Sequence, residues 1–84
     1  MKEQESQLRS ALRHVQEGRE RIAKQHRVIE RLHAGGLSTE DAQAVLRWLE
    51  EVQRTFEEHY NQLLGEGQER LRLAGYKPPP GTSK

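Results

Sequence analysis

The residues best suited to chemistry in this chain are its four histidines and the acids around them. His26 and His33 stand seven apart with Glu30 between, so on a helix all three share one face. Glu30-x-x-His33 has the spacing that di-iron four-helix proteins use, but such a centre needs a second copy on another helix and further inward carboxylates. In the second half of the chain the residue three before His59 is Phe56, so the motif occurs once and no metal site is expected. His33 is better explained by the negative end of a helix, where a basic group is favoured. His14 and His59 are expected to approach each other across the fold. There is no cysteine to supply a thiolate. A glycine-rich phosphate loop, a nucleophile elbow and a His-Glu-x-x-His pair are all missing from the sequence. The reading is a protein with no catalytic residue, no cofactor and no small-molecule substrate.

The elements that carry these side chains are written in the apolar spacing. Leu8, Val15, Ile22 and Ile29 repeat every seven residues, and so do Ala42, Leu49, Phe56 and Leu63. Folding the chain between the two series pairs Ile29 with Ala42, Ile22 with Leu49, Val15 with Phe56 and Leu8 with Leu63. The two numbers of each pair add to 71. That is the register of an antiparallel helical hairpin packed like a coiled coil. Composition agrees: 32% of the residues are hydrophobic and 32% charged, too polar for a thick core but sufficient for a narrow seam. The seam is expected to comprise Leu8, Ala11, Val15, Gly18, Ile22, Gln25, Ile29 and Leu32 on the first helix, in alternating three- and four-residue steps. On the second it comprises Ala42, Leu49, Val52, Phe56 and Leu63, with Val45 or Leu46 and His59 or Tyr60 completing it. Glycine costs about 1 kcal/mol in a helix, so Gly18 implies a bulky neighbour, expected to be Phe56 and Val52.

One hairpin of residues 1–76 is predicted, with helices over about 3–34 and 39–74 around a turn at 35–38. Gly36 suits the left-handed stop of a Schellman motif, with Leu37 reaching back to Leu32. Ser38 is expected to cap the second helix, Asp41 to complete a capping box, and Leu37 to staple onto Ala42. Gly65 marks a place where the second helix could fray or bend. Residues 77–84 hold three consecutive prolines and read as a flexible extended tail.

Two helices touching along one line leave much surface wet. Val45 and Trp48 point away from the seam, and a tryptophan is too large to leave exposed without cause. They are the expected contact of a homodimer that pairs two hairpins into a four-helix bundle. The net charge of +1 divides unevenly: residues 1–34 carry +3 and residues 35–76 carry −4, which favours pairing of the two arms with each other. The rival reading is a small nucleic-acid-associated regulatory protein, resting on Arg9, Arg13, Arg21, Lys24, Arg27 and Arg31. Glu17 and Glu20 interrupt that strip, so nucleic acid is the weaker partner. No apolar run approaches the ~20 residues of a membrane span, and the polar N-terminus does not read as a signal peptide. A cytoplasmic protein with no membrane partner is expected.

Residues 14–63 resemble a family of small uncharacterised helical-hairpin proteins of alphaproteobacteria, of unknown function. The resemblance lies in His14-Val15, Glu17-Gly18, Arg21-Ile22-Ala23, Gln25, Val28-Ile29, Leu32, Thr39, Ala42, Leu46, Glu50 and His59. It implies a bacterial cytoplasmic origin and no assigned chemistry. Ala34-Gly35-Gly36 departs from the charged residue and glycine usual before the turn in that family. Taken together, the sequence predicts an all-α, long antiparallel two-helix hairpin acting as a non-enzymatic interaction or oligomerisation module, with a larger protein partner also conceivable.

Overall fold

The computed structural model describes residues 2–75, with side chains from residue 6 onward; the proline-rich tail lies outside the described residues. Two helices, α1 (Lys2–Ala34) and α2 (Glu40–Leu73), run antiparallel and pack on each other, with no strand among the described residues. The hairpin is one layer thick, about 16 Å in its narrowest direction.

The turn is built by backbone bonds that glycine permits. Gly36 sits at φ 71°, in the left-handed region. The N–H of Leu37 donates to the Leu32 carbonyl at 2.9 Å and that of Gly36 to the His33 carbonyl at 3.0 Å. These are the two bonds of a Schellman stop, and they satisfy carbonyls that the end of α1 would otherwise leave open. The Leu37 side chain, expected to staple both helix ends, is instead 62% exposed. Its amide does the work of the turn.

The start of α2 corrects the capping expectation. Thr39, not Ser38, is the cap residue, and its carbonyl accepts the first helical bond from Gln43 N–H at 2.8 Å. Ser38 contributes one residue earlier: its hydroxyl accepts from Glu40 N–H at 3.3 Å. The Thr39 hydroxyl accepts from the Gln43 side chain. The helix therefore begins one residue late, which moves Asp41 out of capping-box spacing, although Glu40 and Asp41 still lie at its positive end. At the other end α2 runs unbroken through Gly65 to Leu73, and Gly75 takes a left-handed conformation beyond it.

Burial in the hairpin is slight. Ala11, Val15 and Leu63 are its only buried apolar side chains among the described residues, and Gln53 is buried with them at 6% exposure. The other apolar seam residues, Leu8, Ile22, Ile29 and Leu32 on α1 and Ala42, Leu49 and Phe56 on α2, are half-buried.

Gly36→Ala should lower hairpin stability by about 1–2 kcal/mol, because a Cβ is disfavoured at positive φ. Thermal melts followed by circular dichroism would show it; an unchanged melting temperature would contradict the Schellman assignment.

Candidate interaction surface

At the middle of the seam the two helices meet through an amide. Gly18 is buried, and a methyl group placed on it would lie 2.8 Å from Gln53 Cδ and overlap Gln53 Oε1 outright. Gln53, rather than Phe56 or Val52, is thus the bulky neighbour for which Gly18 makes room. The pair obeys the same register, its numbers adding to 71. Val52, expected on the seam, is half-buried one position to the side because Gln53 holds the slot.

The glycine does more than clear space. On a helix the side chain at i+3 lies near the carbonyl of residue i, so a residue without one uncovers that carbonyl. Gln53 Nε2 donates to the Val15 carbonyl at 2.9 Å and to Glu57 Oε2 at 3.0 Å. Its Oε1 is buried with no conventional donor and rests against Gly18. Flipping the amide would set that oxygen against two other acceptors, so the orientation is fixed by its neighbours. The Cα–H of Gly18 is the weak donor left to it. Nearer the turn, Gln25 repeats the device in the other direction, donating Nε2 to the Ala42 carbonyl at 2.7 Å. Two glutamines, one per helix, therefore tie each arm to the backbone of the other.

The seam separates two unlike flanks. Residues that follow a seam position lie on one of them, where Arg19 and Glu57 face each other at 3.8 Å. That pair is largely solvated and contributes about 0–1 kcal/mol. Residues that precede a seam position lie on the other flank. Towards the turn this flank carries Val28, Val45, Trp48 and Val52, of which Val45 is 45% and Trp48 62% exposed. Towards the open end it carries His14 and His59. These two histidines, predicted to approach across the fold, line one hollow of about 260 Å³ together with Ser6, Gln7, Ser10 and Ala11. The His14 ring stacks on Phe56 with centroids 5.1 Å apart; His14 lines the hollow and Phe56 does not.

The structure brings other candidates together less well. Glu30, His26 and His33 are exposed, and among the described residues no group of three metal-ligating side chains converges. Among the described residues no helix is long and apolar enough to cross a membrane. The three- and four-residue spacing places Gln25 on the seam; Gln53 escapes a search for apolar periodicity, since a glutamine does not count as apolar, and the register sum applied to Gly18 is the signal that finds it. No protein-family model, curated protein or solved structure matches the chain.

Gly18→Ala tests this arrangement. Helix propensity alone would stabilise by about 1 kcal/mol, whereas displacing Gln53 and breaking its buried bonds costs about 1–3 kcal/mol. In the natural background the substitution should be destabilising; in a Gln53→Ala background it should be stabilising. Equal effects in both backgrounds, measured by chemical denaturation, would remove the coupling.

Proposed function

We propose that this chain is a non-enzymatic interaction module that self-associates, two hairpins combining into a four-helix bundle. One observation carries the reading: Trp48, the sole tryptophan, stands 62% exposed beside Val45 on a hairpin with only three buried apolar side chains among the described residues. A tryptophan at a half-wet surface is the side chain that dominates protein contacts when covered. Covering this flank would give the seam the second layer that helical domains need. The resemblance to the alphaproteobacterial hairpin family belongs to the same proposal, with a bacterial cytoplasmic setting. The rival nucleic-acid reading gains no support from the flanks, where acidic residues stand among the basic ones.

Sedimentation equilibrium over roughly one to one hundred micromolar, the range that brackets ordinary transient association, should resolve a monomer–dimer transition. Trp48→Ala should weaken it by about 2 kcal/mol, roughly thirtyfold in Kd. A monomer throughout, or a dimer indifferent to the substitution, would defeat the proposal.

A further inference from the structure

We propose that the flank carrying Val45 and Trp48 takes a second copy of this chain about a two-fold axis parallel to the helices, so that α2 of each hairpin lies on α1 of the other. This rests on the self-association reading and specifies its geometry.

Charge and apolar content together single out this flank. Towards the turn it carries Val28, Val45, Trp48 and Val52, and its charges divide by helix. On α1 it holds Arg21, Lys24 and Arg31 against Glu17; on α2, between Asp41 and Gln62, it holds Asp41 and no base. Arg21, Lys24, Arg31 and Asp41 are exposed, and none of them has an ion-pair partner among the described residues. The opposite flank is balanced along α2, with Arg47 and Arg54 against Glu50 and Glu57, and Glu57 already faces Arg19.

A second copy can lie on this flank about either of two kinds of two-fold axis. An axis running across the hairpin, in the plane between the copies, sets α1 on α1 and α2 on α2. It would confront the three bases of one α1 with those of the other. An axis along the helices sets each α1 on the partner's α2, base against acid, and makes every neighbouring pair of helices antiparallel.

This second axis preserves level along the hairpin, so the register sum of 71 also matches residues between copies. Asp41 falls one residue, about 1.5 Å, from the level of the partner's Arg31. Val45 falls two residues from the partner's Val28. Trp48 comes level with residue 23, between the partner's Arg21 and the partner's Lys24, where cations can cover the indole faces. Towards the open end the two hollows face each other, which leaves the apolar contact to the turn half. From Gln7 to Arg31 the flank is about 36 Å long and about 20 Å across its two helices, about 700 Å² in projection. A stable interface takes about 800 Å² of accessible surface from each partner, which a ridged face of that extent supplies.

Nitroxide labels on Glu40→Cys and Glu66→Cys, two exposed positions of a chain without cysteine, read the axis. In the proposed dimer each label lies level with its own copy, so the bundle width keeps both distances below about 30 Å. With α2 on α2, the two separations along the axis would add to, or differ by, about 78 Å, so at least one would exceed about 39 Å. That outcome, read by pulsed dipolar spectroscopy, would overturn the pairing and leave self-association standing. No dipolar coupling at either site would overturn both.

The contact itself is read by exchanging charges between chains. Asp41→Lys and Arg31→Glu should each raise Kd about fivefold, since each reversal places like charges together at two symmetric points. Mixed in equal amounts, the two variants should associate as tightly as the natural chain, because reversed charge then meets reversed charge and natural meets natural. Restoration between chains cannot arise inside one hairpin. Variants that each associate unchanged, or a mixture no tighter than either alone, would overturn the contact of α2 with the partner's α1.

Discussion

The contact between the Gln53 amide and the gap left by Gly18 fixes how the two arms lie against each other. A coiled-coil seam made only of apolar residues tolerates sliding by a heptad, since one Leu–Ile layer resembles the next. An amide that must find one uncovered carbonyl does not. Displaced from Val15, Gln53 would lose its one hydrogen bond to the other helix and keep only that to Glu57 on its own, a loss of about 1–3 kcal/mol. Single polar residues at seam positions are known to specify register in helical assemblies at some cost in stability. Gln53 fits that role, with Gly18 as its complement on the other helix.

This choice has an energetic consequence. The centre of the seam, where a Leu–Leu layer would bury the most surface, is occupied by an amide and a glycine. Specificity is gained where burial is given up. The hairpin is left with three buried apolar side chains among the described residues and a flank where Val45 and Trp48 face water. A fold in this condition gains from a second layer, and the proposed dimer supplies one without altering the seam.

Much of this was legible in the residues. The heptad series and their common register sum describe the hairpin, and Gly36-Leu37 describes its turn, because each is a local pattern with a single geometric solution. The turn shows the limit: its backbone bonds follow from the sequence, yet the Leu37 side chain stays wet and the helix cap shifts from Ser38 to Thr39. Caps compete over one residue, and hydroxyls at both positions can serve. Gln53 was hidden for a different reason. Periodicity counts apolar side chains, so Val52, adjacent and greasy, attracts the assignment. Only the three-dimensional question of what Gly18 uncovers brings the glutamine forward.

The most direct measurement is nuclear Overhauser spectroscopy on the labelled chain, isotope-filtered so that contacts within one copy are distinguished from those between copies. The account predicts cross-peaks within one chain from the Gln53 side-chain amide protons to Gly18 Hα and to the Val15–Gly18 backbone. Gln53 amide protons that show only solvent contacts, with Gly18 Hα instead close to Phe56 or Val52, would contradict it.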